Sequence, residues 1–229
     1  MQYQIEPIGI IHSPYREKFA VPRQPNLVPS ATAELHLQGA ANTLEAVRDI
    51  EQFSHLWLLF LFDQNLEGGW RPTVRPPRLG GNARVGVFAS RATFRPNGIG
   101  MSAVTLKGVR KQGDQIILDL GGIDLVDGTP IIDIKPYIPY SDSIPDAIGG
   151  FASEEPDTLA VTLDLAQFPM LSSNQAQVIQ EVLAQDPRPA YKKGKPDSKE
   201  YAVHLFNYNV RFCYHEDGVT VTGIDTRTV

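Results

Sequence analysis

The sequence predicts a mainly β protein: an N-terminal antiparallel β-barrel in residues 1–150, followed by a small C-terminal α+β domain in residues 157–229. Three observations carry this. Short β-type runs, separated by Gly- and Pro-rich turns, recur through the first 150 residues. Helical periodicity is confined to one stretch among them, without the strand–helix alternation that a parallel sheet requires. A polar break at 151–156 (FASEEP) then separates these runs from a segment of different character.

The runs are 5–11, 31–37, 56–62, 84–90, 101–109, 115–120 and 131–135, several of them alternating apolar with polar as a half-buried strand does. The helical stretch is 42–50, with Asn42 and Glu45 spaced as a cap pair and Leu44, Val47 and Ile50 on one side. After the break come a strand at 158–165 and a helix at 174–185. A hairpin then runs up through 202–214 and returns through 219–224 across His215-Glu216-Asp217-Gly218.

Composition narrows the class of function. Residues 1–7 show no basic region leading into an apolar stretch, and the longest wholly apolar run, 56–62, is too short to span a bilayer, so neither secretion nor membrane insertion is expected. Cys213 stands alone, which rules out an internal disulfide and suits a reducing cytoplasm. The five histidines form no metal-ligand spacing, so no metal is expected. The net charge of −5 hides a segregation: residues 68–113 contain no acid, yet hold Arg71, Arg75, Arg78, Arg84, Arg91, Arg95, Lys107, Arg110 and Lys111. Guanidinium forks suit phosphate oxygens and stack on bases, so this concentration points to a polyanionic partner. A solvated face would also carry charge, but with both signs mixed.

Glycine and proline shape the same region: Gly68-Gly69-Trp70-Arg71-Pro72, Arg75-Pro76-Pro77-Arg78, Gly80-Gly81-Asn82 and Arg95-Pro96-Asn97-Gly98-Ile99-Gly100. The last has two glycines of a dinucleotide fingerprint, but Ala103 holds the third position and the loop leads into a strand-like segment, so a Rossmann site is not expected. Neither a phosphate-binding P-loop nor an esterase elbow is present. A second loop, residues 121–130, is acidic and glycine-rich; Asp124 and Asp127 there suit either turn caps or ligand contacts. From the residues alone, a non-catalytic RNA-binding barrel and an enzyme acting on a small phosphorylated metabolite both remain open.

Eight pieces in order then become specific. They are His12-Ser13-Pro14-Tyr15, Pro22-Arg23-Gln24, His55-Leu56-Trp57, residues 75–82 (RPPRLGGN), Phe94-Arg95-Pro96-Asn97, residues 124–130 (DLVDGTP), residues 133–137 (DIKPY) and residues 186–191 (DPRPAY). Together they resemble the TsaA-like family, called TrmO in bacteria, and run through nearly the whole chain. The resemblance implies a homodimeric β-barrel enzyme. Its reaction would move a methyl group from S-adenosylmethionine to N6 of a threonylcarbamoylated adenosine just 3′ of a tRNA anticodon. It places the donor against Pro22, Arg23, Gln24, Asp63, Gln64, Arg91, Met101, Asp127, Gly128, Thr129 and Pro130, with Asp124 in support. The family reads Arg-Pro-Asn-Pro-Ile-Gly where this chain has Gly98, which loosens the loop without removing a functional side chain.

Methyl transfer from a sulfonium is an in-line displacement that needs alignment and a route for the proton leaving nitrogen. For that proton the residues leave Asp124, Asp127, His55 and Tyr191 open, together with transfer by positioning alone. Arg71, Arg75, Arg78, Arg84 and Arg95, with a second basic cluster at Arg188, Lys192, Lys193, Lys195 and Lys199, are expected to hold the RNA, and Trp70 to stack on a base.

Overall fold

The computed structural model describes residues 3–188, 192–193, 195 and 197–227. Six strands close into an antiparallel barrel in the order β1-β2-β7-β6-β3-β8: β1 (Gly9–His12), β2 (Thr32–Leu37), β3 (His55–Leu61), β6 (Ile99–Gln112), β7 (Gln115–Gly121) and β8 (Pro130–Pro136). The continuous apolar run at 56–62 resolves into an alternation: Leu56, Leu58 and Phe60 enter the core, while His55, Trp57, Leu59 and Leu61 face outward and are half-buried. β6 is long enough to pair with β3 and β7, and Thr105 sits opposite both His55 and Gly121. Outside the barrel lie the single turn α1 (Asp63–Leu66), a two-stranded excursion of β4 (Thr73–Val74) and β5 (Val85–Gly86), and the short α2 (Pro139–Asp142).

The C-terminal sheet runs β10 (Asp197–Leu205), β11 (Tyr208–His215), β12 (Gly218–Thr226) and β9 (Val161–Thr162), the last pair parallel. α3 (Ser173–Ala184) starts at a capping box in which Ser172 Oγ accepts from Gln175 N at 3.2 Å and Gln175 Oε1 accepts from Ser172 N at 3.0 Å. Its Val178, Ile179 and Val182 belong to the same buried apolar cluster as Ile11, Leu58 and Leu118 of the barrel. The sheet is seated on the loop after β1: Phe206 N donates to Pro14 O at 2.7 Å and Arg16 N to His204 O at 3.3 Å. Ser30 N likewise donates to Glu181 of α3 at 3.0 Å.

Four expectations of local structure are corrected. No α-helix forms over 42–50, because Asn42 staples the β6–β7 turn instead of capping: its Oδ1 accepts from Ile116 N at 2.8 Å and its Nδ2 donates to Asp114 O at 2.9 Å. The run at 84–90 supplies only two paired residues, in β5, before turning. The strand at 158–165 likewise pairs over only two residues, in β9. The rise at 202–214 is two strands, not one, reversed at Phe206 and Asn207. Phe206 is held in the left-handed region at φ 56 by its bond to Pro14, so this turn carries neither glycine nor proline.

Candidate active site

The acidic loop between β7 and β8 is closed against the loop after β1. Asp127 N donates to Tyr15 O at 2.8 Å, Gly128 N to Ile11 O at 2.9 Å, and Ser13 Oγ to Leu125 O at 2.8 Å. The Asp127 carboxylate accepts from Ser13 N at 3.0 Å and pairs with Arg16, with His12 Nδ1 3.8 Å away. Thr129 Oγ1 turns back to Val126 O at 2.7 Å. Of the two readings of this loop, turn capping is what Asp127 does, and its carboxylate is not an idle proton acceptor.

Asp124, three residues earlier, is different. Its Oδ1 is wholly buried and has no hydrogen-bond partner. Burial pushes its carboxyl up to about 6, against the opposing pull of a Ser102 hydrogen bond, its own backbone N–H and the Arg91 charge. Ser102 is 2% exposed and lies on the inward phase of β6, between Gly100 and Val104. Arg91 Nη1 donates to Gln24 Oε1 at 2.5 Å, so the 22–24 segment and the arginine loop meet beside this carboxyl. The segment is fixed from below: Asn26 N donates to Gly122 O at 2.9 Å and Gly122 N to Ala31 O at 3.1 Å. Gly122 has φ +65, and a Cβ there would come within 1.9 Å of Asn26 Oδ1, so only glycine permits this approach.

The other expected donor contacts divide. Asp63 and Gln64 open α1 immediately after β3, and Phe62 N donates to Gly98 O at 2.7 Å, placing them beside the 95–100 loop. Met101, on the outward phase of β6, is 52% exposed. Arg23 lines a cleft against the C-terminal domain with Pro22 and Lys193. Gly98 takes φ +60, a value no proline ring allows, so this loop has a backbone that the usual family sequence could not adopt. His55 faces the outside of the barrel, hydrogen-bonded to Ser54 at 2.9 Å and set edge-on to Tyr137, whereas Ser102 and Asp124 lie on the inward side. His55 and Asp124 therefore do not form one catalytic group. Tyr191 lies outside the described residues.

The expected RNA-binding residues also divide. Arg71, Arg75, Arg78 and Arg84 are exposed on the excursion carrying β4 and β5, next to Trp70, which is 54% exposed. Arg78 also reaches Glu154 O. Arg95 instead holds its own loop, donating to Ser90 O at 3.0 Å. Arg188 is a correction: it is 1% exposed, paired through two nitrogens with Asp186 at 2.8 Å each, with its guanidinium carbon 3.5 Å from the Tyr214 ring centroid. It stabilises the fold and cannot touch RNA. Lys192 is engaged by Asp197 at 2.7 Å and Tyr201 at 2.8 Å, Lys195 is exposed, and Lys193 faces the cleft shared with Arg23.

Sequence reasoning passed over Tyr15, Ser102 and Lys18. Tyr15 is fully buried with an unpartnered hydroxyl, and burial, then Asp124, then Glu181 push its phenol up. Ser102 carried a signal: a hydroxyl on the core-facing phase of an otherwise apolar strand. Among the described residues, no three His, Cys, Asp or Glu side chains gather as a metal site would require.

Comparison with known proteins gives concordant matches. Residues 10–143 match the family model described as the tRNA-methyltransferase O N-terminal domain, and residues 158–227 the TrmO C-terminal domain. A tRNA (adenine(37)-N6)-methyltransferase of Escherichia coli strain K12 is 56% identical, the match covering 98% of this chain and 99% of that one. A putative S-adenosylmethionine-dependent methyltransferase, RcsF, of Pseudomonas aeruginosa is 48% identical over 93% of this chain and 94% of its own. A crystal structure of TrmO from Pseudomonas aeruginosa superimposes with a TM-score of 0.80 at 40% identity, covering 98% of this chain and 99% of that one.

Proposed function

Because this chain belongs to the tRNA-methyltransferase O family, we propose that it transfers a methyl group from S-adenosylmethionine to N6 of adenosine 37 of a tRNA, with Asp124 accepting the proton. The observation that carries the role of Asp124 is its buried, unpartnered Oδ1 on a carboxyl raised to about 6. Such a group is ionised at neutral pH yet basic enough to take a proton. Asp127 is engaged by Ser13 and Arg16, and His55 faces the opposite side of the barrel wall.

The residues also suit the donor, since the exposed carboxylate of Asp63, which opens α1 beside the 95–100 loop, complements a cationic ligand carrying N–H groups. We assign the donor to Gln24, Arg91, Asp63, Gln64, Met101 and Pro22, with the 127–130 turn shaping the site through its backbone. When bound, S-adenosylmethionine supplies an electrophilic methyl carbon on a sulfonium. Asp124 takes the N6 proton as the N–C bond forms and the C–S bond breaks, which leaves a neutral thioether and a neutral carboxylic acid. A threonylcarbamoyl group on N6 delocalises the nitrogen lone pair, which is where a proton acceptor contributes most, typically about 10²–10⁴-fold.

Arg71, Arg75 and Arg84 follow the phosphates of the anticodon loop, with Trp70 available to stack on a base. We assign the methyltransferase domain to residues 1–150 and the smaller domain to residues 157–229, a division supported by the family models that match 10–143 and 158–227. Phe88, Tyr140, Ile144 and Ile148 each stand exposed, and such apolar side chains would gain from being covered by a second copy of the chain in a homodimer. Among the described residues no helix is long and apolar enough to cross a membrane, and a tRNA substrate supports a cytoplasmic location.

The test is to incubate the protein with labelled methyl donor and tRNA from cells with and without threonylcarbamoylation, then map the labelled nucleoside. Label at N6 of adenosine 37, dependent on that group, is expected. Binding of tRNA without label, and without heat on adding donor, would return the protein to a non-catalytic RNA-binding barrel. Arg75→Ala and Arg84→Ala should weaken tRNA binding and lower its salt dependence, by about 0.7 in log–log slope for each phosphate no longer neutralised, with donor binding unchanged.

A further inference from the structure

We propose that the cleft between the barrel and the C-terminal domain is a phosphate site, in which Arg23 and Lys193 hold one internucleotide phosphate of the RNA substrate, with Lys18 on the same wall as Arg23. This rests on the reading of the substrate as RNA but assigns a separate site, one that reallocates Arg23 from the methyl donor to the nucleic acid.

The cleft has a volume of about 370 Å³. One wall is the 18–23 segment after β1, and the other is the end of α3 and the chain beyond it, with Val182, Gln185 and Lys193. That size suits a nucleotide-sized group. Among the described residues, the charged ones that line it are all cationic and none is a carboxylate. The partners these cations do have are neutral. Lys18 Nζ donates to Asn65 Oδ1 at 2.8 Å and Gln64 O at 3.3 Å, and Lys193 Nζ donates to Gln185 O at 3.1 Å. The nearby carboxylate, Asp186, is already paired through both oxygens with Arg188.

The result is positive charge from two parts of the chain brought together, opposed only by an Asp186 carboxylate that Arg188 already holds. Burial depresses the Lys193 ammonium, and Arg23 and Arg188 depress it further against the opposing pull of Asp186. An anion in the cleft would reverse that penalty. Capping of α3 accounts for Lys193 alone, since a cation at a helix C-terminus is favourable there. It leaves Arg23 without a reason to line the same cleft.

Geometry favours an internucleotide phosphate over a free anion. Asn65, the partner of Lys18, also lines a second hollow of about 160 Å³ with Trp70, Arg95 and Asn97. A base-sized hollow with an exposed indole at its edge and a cationic cleft are thus joined through one lysine, and a polynucleotide presents those two features side by side.

The experiment measures tRNA affinity across a salt series for wild type, Arg23→Gln, Lys193→Gln and Lys193→Arg, with calorimetry of the demethylated donor on each. Arg23 is exposed and makes no fold-holding bond among the described residues, so Arg23→Gln tests the cleft without a folding penalty. Both glutamine variants are expected to bind tRNA about tenfold more weakly at low salt and to lose about 0.7 of log–log slope. Lys193→Arg is expected to keep wild-type affinity, and all variants to keep donor affinity. Wild-type tRNA affinity and slope in both glutamine variants would overturn the proposal, as would weakened donor binding in Arg23→Gln with tRNA binding intact. An inorganic phosphate titration separates the sources: phosphate binding lost in Arg23→Gln while tRNA affinity holds would make this a small-anion site and overturn the RNA assignment. If wild type itself bound no tRNA in a salt-dependent way, the substrate reading would fall first, visibly and independently of the variants.

Discussion

Replacing Asp124 by asparagine should make the protein more stable at neutral pH while removing most of its transferase activity. A carboxyl whose folded-state pKa lies above its unfolded value contributes most favourably when protonated, and stability is lost as pH rises from the unfolded value through the folded one. Here the values are 3.8 and about 6. At about 1.36 kcal/mol per pKa unit, the ionised carboxylate costs the native state about 3 kcal/mol above pH 7. The asparagine variant carries no such term. Urea denaturation of both proteins from about pH 4 to pH 8 isolates it, because every other titrating group is common to the pair. The stability difference, variant minus wild type, should grow by about 2–3 kcal/mol across that range, most of it between the two pKa values. In the wild type, kcat should fall on the acid side with a midpoint near 6, and Asp124→Asn should lose about 10²–10⁴-fold. A flat difference curve would show that the carboxyl is not held above its usual range, and the assignment of Asp124 as proton acceptor would lose its basis.

Two further outcomes test the scaffold around the site. Gly122→Ala places a Cβ within 1.9 Å of Asn26 Oδ1 at a φ of +65 and should lower stability by about 1–3 kcal/mol; it should also reduce donor affinity by shifting the segment that carries Gln24, and calorimetry with the demethylated donor would expose an error if affinity held. Arg188→Ala leaves Asp186 buried and unpaired, so a loss of about 3–5 kcal/mol is expected in chemical denaturation; full stability in that variant would contradict the structural role given to this arginine.

The barrel was legible in the sequence because its strands alternate. β2, β3, β7 and β8 fall within a residue or two of the runs that predict them. α3 falls within a residue of the stretch that predicts it, and the structure shows Ser172 and Gln175 closing it with a local cap that needs no tertiary help. The failures share a physical cause. Asn42 looks like a helix cap until the β6–β7 turn, more than seventy residues away, takes its side chain. Phe206 looks like mid-strand until Pro14 pins it into a turn. Arg188 looks like an RNA contact until Asp186 and Tyr214 bury it. In each, a long-range partner overrode a local preference that the residue does possess.

The same distinction decides which motif residues do chemistry. His12-Ser13-Pro14-Tyr15 and the 124–130 loop stand out in the sequence together, and the structure gives a reason: they are hydrogen-bonded to each other, closing one end of the barrel. Within that closure Asp127 and Asp124 are the same residue type three positions apart, and no pattern in the chain separates them. What separates them is partnership. Asp127 finds a backbone N–H and an arginine, and becomes structure. Asp124 turns toward the inward face of β6, finds one hydroxyl, and keeps a buried oxygen with nothing bound to it. A native fold tolerates a bare buried carboxylate oxygen only where something else repays it, and the energetic cost of leaving it bare at neutral pH is what makes it a base.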